Sequence, residues 1–296
     1  MKLLSCLVVL IFFIMGFCGV CFAKTMKVMT SIGPVGYLVE RVAGDGLEVG
    51  VMMPDSANPH TYEPLPSDLV KLSRVDIYFE LGVGLDFENV WLPKLKRLNN
   101  KMKVVNCGKA VVLQPVSGEH VCGGGEAGCD HDHNHDHGLD PHIWLSINNA
   151  IVMVGNIREA LVNIVPENRV VFENNAKELV LELEQLKKEI QNKLKQKTNK
   201  KFIVFHPSWG YFARDFGLEQ IPVEIDGKEP SIKEVRKLIM LARKEGIKTV
   251  FVSPQFSKKS AAVIAKEIGG QVVAIDPMAK DYIKNIRKVG EALINN

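Results

Sequence analysis

The sequence has little excess charge of either sign. Its 296 residues include 37 lysine and arginine residues against 34 aspartate and glutamate residues, a formal net charge of +3. The two signs are intermixed, without the basic stripe and interleaved aromatic side chains that nucleic-acid binding requires. We therefore expect no nucleic-acid partner. Hydrophobic residues at 46% and charged residues at 24% exclude general disorder and predict one large or two medium globular domains.

Long hydrophobic runs are also scarce, and the clear one is N-terminal. Residues 1–23 read as a signal peptide, with Lys2 before a continuous apolar run and a small residue, Ala23, at the predicted cleavage point. The mature chain is then expected to begin at Lys24 and to function outside the cytoplasm, in the periplasm. Because the run approaches the roughly 20 residues that span a bilayer, an uncleaved anchor over residues 3–21 is the alternative.

Few cysteines remain once the signal peptide is set aside. Of six in the sequence, those outside it are Cys107, Cys122 and Cys129. Export implies an oxidising compartment, and the flexible run GGGEAG between Cys122 and Cys129 would let these two form a disulfide. Cys107 follows an apolar run and is expected to be a buried thiol. The alternative is that all three are unpaired.

One segment, residues 116–138, lacks apolar periodicity and is rich in glycine and histidine. This composition predicts a mobile surface loop. The loop carries five histidines among acidic residues: His120, His131, His133, His135 and His137. Ordering such a loop around one ion costs conformational entropy, so we predict secondary, weaker metal sites here. The alternative is a solvated tether with incidental affinity.

Elsewhere strand-like and helix-like patterns alternate, which predicts an α/β protein with parallel sheets. After Pro166, a segment without glycine or proline has apolar residues at three- and four-residue intervals. It predicts a helix of roughly 30 residues, about 45 Å long, which would bridge two lobes. The predicted organisation is an N-terminal lobe over 24–165, a linking helix over 166–198 and a C-terminal lobe over 199–296.

Three histidines outside the loop each adjoin a proline. His60 lies in NPHTYEP, His142 in LDPHIWLS and His206 in FHPSWGY, while Asp276 in AIDPM shares the pattern. Three of the four follow predicted strands, and the carboxyl ends of parallel strands form the ligand-binding edge of an open sheet. Three imidazoles and a carboxylate suit a divalent cation, with Zn²⁺ the leading choice. We predict a metal site formed by these four residues.

The motifs together resemble the metal-specific periplasmic solute-binding proteins of ABC importers, cluster A-I, the ZnuA/TroA-like family. The resemblance is carried by HTYEPLPSD from His60, DPHIWL from Asp140, HPSWGY from His206, IDP around Asp276, the long helix and the acidic His-rich loop. It implies two Rossmann-like lobes joined by one rigid helix, with the metal between them and His60 and His142 supplied by the first lobe. Histidine at the third position, where manganese receptors of the family carry glutamate, points to zinc. Whether Asp276 or a water is the fourth ligand stays open.

The resemblance implies an extracytoplasmic receptor that binds Zn²⁺ and delivers it to the membrane permease of an ABC importer. We expect it to be a monomer and not an enzyme. A manganese or iron receptor of the same family is one alternative. A zinc hydrolase is another, because three histidines and an open position also form catalytic sites, although the sequence has no HExxH motif. A metal-sequestering adhesin is the third, and a retained N-terminal anchor would favour it.

Overall fold

The computed structural model describes residues 26–116, 138–224 and 227–295. The predicted signal peptide, the five loop histidines, Cys122 and Cys129 lie outside these residues. Within the described ranges, no helix is both long and apolar enough to cross a membrane. Cys107 is buried and forms no disulfide, as expected.

The first half of the chain forms a lobe around a four-stranded parallel sheet. Its order is β2-β1-β3-β4, with every neighbouring pair parallel. The elements in chain order are β1 (Met26–Thr30), α1 (Gly33–Ala43), β2 (Leu47–Val51), α2 (Pro66–Leu72), β3 (Ile77–Glu80), α3 (Asp86–Leu98), β4 (Lys103–Asn106) and α4 (Ile147–Ile164). We call this part the first lobe.

The second half forms a second lobe around another four-stranded parallel sheet. Its order, β6-β5-β7-β8, repeats that of the first sheet. The elements are β5 (Lys201–Val204), α6 (Gly210–Phe216), β6 (Glu219–Pro222), α7 (Ile232–Lys244), β7 (Thr249–Val252), α8 (Lys259–Glu267), β8 (Gln271–Ala274) and α9 (Tyr282–Asn295). The predicted α/β class with two parallel sheets is confirmed.

A single long helix, α5 (Arg169–Leu194), joins the two sheets after a short 3-10 turn at Pro166–Asn168. Its 26 residues span about 39 Å, less than the length predicted from sequence. Every third or fourth residue from Phe172 to Leu194 is buried, which gives the helix one continuous apolar stripe. The stripe packs against α1 and α4 of the first lobe and against α9, the last helix of the chain.

Buried side chains continue from one lobe into the other. The larger apolar cluster contains Phe79 of β3, Leu183 of α5 and Tyr282 of α9, together with Trp144 and Trp209, all fully buried. A smaller cluster lies under α7 and α8. Because protein interiors are close-packed, this shared core fixes the carboxyl edges of the two sheets relative to each other.

Candidate metal site

The structure brings three of the four predicted ligands together between the lobes. His60 lies in the loop after β2, His142 precedes a 3-10 turn at Ile143–Leu145, and His206 follows β5. One ring nitrogen from each lies within 4.8 Å of the others. The Nε2 atoms of His60 and His206 are 3.1 Å apart. The site therefore combines residues that are far apart in sequence.

Each of the three imidazoles has a carboxylate at its Nδ1 atom. The pairs are His60 with Asp86 at 2.7 Å, His142 with Asp140 at 2.7 Å, and His206 with Glu224 at 2.8 Å. An Nδ1–H group that donates to a carboxylate leaves the lone pair on Nε2. The three carboxylates therefore favour the tautomer in which Nε2 keeps the lone pair that a metal ion would need.

Different local structures place these carboxylates. Asp86 is the first residue of α3. Asp140 lies two residues before His142, and its Oδ1 also accepts the backbone N–H of that histidine at 2.9 Å. Glu224 follows β6, which pairs with β5, so its side chain reaches the histidine at the end of the neighbouring strand. Sequence reasoning missed Asp86 and Glu224, although the strand-end rule applies equally to Glu224.

Neighbouring side chains also restrict the backbone of His60 and the ring of His206. The amide oxygen of Asn58 accepts the backbone N–H of His60 at 2.9 Å, which shapes the turn around Pro59. The ring of Phe256 stacks on that of His206, with centroids 4.6 Å apart and planes 17° from parallel. These contacts limit the entropy that the rings would lose on binding a metal.

The electrostatics favour uncharged imidazoles. Burial lowers the pKa values of His60 and His206 below the ordinary 6.5, and the carboxylates of Asp86 and Glu224 only partly oppose this effect. Two Nε2 lone pairs 3.1 Å apart repel each other unless a proton or a cation is shared between them. Tetrahedral Zn²⁺ with bonds of about 2.0–2.1 Å needs nitrogens about 3.3 Å apart. The spacing of the His60 and His206 nitrogens is therefore close to that of two zinc ligands.

Asp276 is placed differently from the three histidines. It follows β8, and among the described residues it is not part of the group that converges within 4.8 Å. Its Oδ1 accepts hydrogen bonds from Gln255 Nε2 and from the backbone N–H of Met278, both at 2.9 Å. Because another carboxylate pairs with each histidine Nδ1, Asp276 does not orient a histidine in this way. Its role as a ligand stays a prediction.

Comparison with known proteins relates this chain to a family. Residues 28–296 match the family described as "Zinc-uptake complex component A periplasmic". A curated relative, the zinc-binding protein AdcA of Streptococcus pyogenes serotype M3 (strain ATCC BAA-595 / MGAS315), is 29% identical over 289 residues. The alignment covers 90% of this chain and 55% of that relative, so the chain spans about half the relative's length.

Solved structures give a similar result over nearly the whole fold. A crystal structure of ZnuA is 37% identical, with a TM-score of 0.83, and the alignment covers 92% of this chain and 99% of that one. A ZnuA deletion mutant with zinc bound is 38% identical, with a TM-score of 0.82 and coverage of 92% and 98%. The family expected from the sequence motifs is thereby confirmed: this chain belongs to the family of periplasmic component A proteins of zinc-uptake complexes.

Proposed function

We propose that this protein is an extracytoplasmic receptor that binds one Zn²⁺ ion between its lobes and delivers it to the permease of an ABC importer. The observation that carries the proposal is the convergence of His60, His142 and His206, each with a carboxylate at Nδ1. Membership of a zinc-uptake family and similarity to a ZnuA structure with zinc bound support zinc as the cargo.

The donor set favours zinc over manganese. Three neutral imidazole nitrogens suit a borderline cation, whereas manganese prefers oxygen ligands. A Glu at position 206 would replace one nitrogen by oxygen, so His206→Glu should shift the preference toward manganese. Asp276 or a water completes the four-coordinate shell.

The orientation of the carboxylates supports a receptor rather than a hydrolase. A zinc hydrolase needs a general base beside the metal-bound water. Asp86 and Glu224 instead face the Nδ1 side of their histidines, away from the Nε2 atoms that would bind the metal. We therefore expect no turnover of simple ester or phosphate substrates by the zinc-loaded protein. Zinc-dependent hydrolysis that disappears in His206→Ala would contradict this expectation.

Export is a separate part of the proposal. The chain is exported with cleavage before Lys24, and the mature protein acts as a monomer. N-terminal sequencing of the exported protein tests the cleavage, and light scattering tests the oligomeric state. Retention of residues 3–21 would instead indicate a membrane anchor.

Competition titration with a chromophoric zinc chelator tests the receptor function on the chain from Lys24. We expect one tightly bound zinc, lost in His206→Ala. His131→Ala is the matched control, because it removes an imidazole from the His-rich loop and should keep the tight ion. If His206→Ala retains tight zinc and His131→Ala loses it, the site between the lobes is not the receptor site.

A further inference from the structure

The loop after β7, residues 253–256, lies between the two second-lobe candidate ligands. In the sheet, β7 pairs with β5 on one side and β8 on the other. The loop therefore emerges between His206, which follows β5, and Asp276, which follows β8. Phe256 of this loop stacks on His206, as described above. Gln255, next to it, contacts Asp276.

The side-chain amide of Gln255 joins the two lobes. Its Nε2 donates to Oδ1 of Asp276 at 2.9 Å and to the backbone carbonyl of Asp55 at 2.7 Å. Asp55 belongs to the first-lobe loop that also carries His60. One amide group therefore bridges a predicted ligand of the second lobe and the loop that supplies a ligand from the first.

The amide orientation follows from its partners. Both Asp55 O and Asp276 Oδ1 are acceptors, so only the NH₂ end of Gln255 can satisfy them. The opposite end, Oε1, is buried and has no hydrogen-bond partner among the described residues. If the Gln255 amide were flipped, its Oε1 would face two other acceptors, Asp55 O and Asp276 Oδ1. The contact is therefore specific to a side chain that carries two N–H donors.

Two donors fix the carboxylate of Asp276. Its Oδ1 accepts from Gln255 and from the backbone N–H of Met278, and these two bonds restrict rotation of the carboxylate. The backbone carbonyl of Asp276 is held as well, by Asn285 Nδ2 at 2.6 Å. Hydrogen bonds to an ionised carboxylate are stronger than those between neutral groups. The residue is thus held before any metal binds.

The Gln255 contact joins two loops whose aspartate side chains carry like charge. Asp55 and Asp276 repel each other, and partial burial together with the charge of Asp276 raises the pKa of Asp55, while Lys280 opposes the effect. Without the amide, two loops with like-charged side chains would meet with one fewer favourable contact. Gln255 therefore offsets a repulsion between the first-lobe loop and the predicted fourth ligand.

We propose that Gln255 is a positioning residue that orients Asp276 as the fourth zinc ligand and couples it to the loop carrying His60. This inference rests on the proposed zinc-binding function. Zinc retention then depends on Gln255, and it does so through Asp276.

A double-mutant cycle on the zinc-loaded chain from Lys24 tests this proposal. Gln255→Met keeps the side-chain length but removes both donors, whereas Asp276→Asn keeps an Oδ1 acceptor and replaces the oxygen expected to bind zinc. We expect each single variant to release zinc to a chelator about tenfold faster. The double variant should match Asp276→Asn alone, because Gln255 acts through that residue. Additive effects, or no effect of Gln255→Met, would overturn the proposal.

The visible spectrum of the Co²⁺-loaded protein gives a readout that a purely structural role would not change. We expect the spectrum of Gln255→Met to move toward that of Asp276→Asn, because both lose the carboxylate from the metal shell. Identical spectra for the wild type and Asp276→Asn would overturn the proposal. Gln185→Met, which alters an exposed glutamine on α5, is the matched control. Thermal melting of the zinc-free variants checks that they are folded.

Zinc titration of the wild type and the zinc-release assay together distinguish a failure of the proposed receptor function from a failure of the proposed role of Gln255. A wild-type chain that binds no zinc refutes the receptor function and the role of Gln255 together. A wild-type chain that binds one zinc, and releases it as fast as Gln255→Met does, refutes only the role of Gln255.

Discussion

The indole Nε1 of Trp144 donates a hydrogen bond of 2.7 Å to the backbone carbonyl of Pro277. Trp144 lies two residues after His142, and Pro277 directly follows Asp276. The bond is buried and joins the first-lobe loop with one predicted ligand to the second-lobe loop with another. This bond is one of several contacts that set the spacing between the two lobes.

We predict that Trp144→Phe lowers the free energy of unfolding by about 1–3 kcal/mol, because the Pro277 carbonyl loses its buried donor. Urea denaturation of the zinc-free protein measures the change. Trp91→Phe is the control, since Trp91 is only partly buried on α3. Equal effects of the two substitutions would show that the loss of an indole, rather than of this bond, is responsible.

Glu224 is expected to tune the zinc site without touching the metal. We predict that Glu224→Gln weakens zinc binding about 10–100-fold, because a neutral amide supports the Nδ1–H of His206 less well than a carboxylate does. Competition titration measures the affinity. Glu219→Gln, at the exposed start of β6, is the control and should bind zinc as the wild type does. If the two variants bind zinc equally well, the pair between His206 and Glu224 does not affect the metal.

These carboxylates illustrate what the sequence could and could not predict. Asp140 is visible from sequence because it lies two residues from His142, within one motif. Asp86 and Glu224 lie 26 and 18 residues from their histidines. Their pairing depends on where α3 begins and on the register between β5 and β6, and a single sequence contains no direct signal for either. Proline neighbours, together with strand ends for His60 and His206, are local features, and they singled out the three histidines that converge in the structure.

The fold, too, could be predicted from the sequence only where local patterns determine it. The alternation of strands and helices is a local pattern, and it predicted both parallel sheets. Sequence analysis did not predict α3, which contains Pro93 within its 13 residues. A proline inside a helix normally argues against the helix, but here tertiary packing outweighs that local preference. The shared core also escaped prediction, because it depends on which faces of α5 and α9 meet.

The zinc-free protein should lose stability as the pH falls below 6.5. Burial lowers the pKa values of His60 and His206 in the folded state below the ordinary 6.5, so the unfolded state binds more protons in this range. Stability therefore rises with pH through the window from the lowered values up to 6.5, and it is lost on acidification. We expect the difference in urea midpoint between pH 7.5 and pH 5.5 to shrink in His206→Gln. An unchanged difference would mean that His206 does not contribute to the pH dependence.

The ends of the predicted His-rich loop meet in the structure. Pro115 and Leu139 form an antiparallel bridge, the N–H of Asp140 donates to the carbonyl of Gln114 at 2.9 Å, and the N–H of Val116 donates to the carbonyl of Gly138 at 3.4 Å. Two strand ends in this arrangement can be closed by a two-residue turn such as Asn-Gly. Residues 117–137 should therefore be replaceable without disturbing Asp140 or His142.

We predict that this replacement retains one tightly bound zinc and removes only weaker ions. The physical reason is that the packed lobes position His60, His142 and His206. The composition around the five loop histidines instead predicts a segment that each ion would have to order. Zinc titrations with and without a competing chelator separate the two classes of site. In the replacement background, His206→Ala should still abolish tight binding. If the replacement alone abolishes it, the residues between 117 and 137 supply the tight site, and the cluster between the lobes does not.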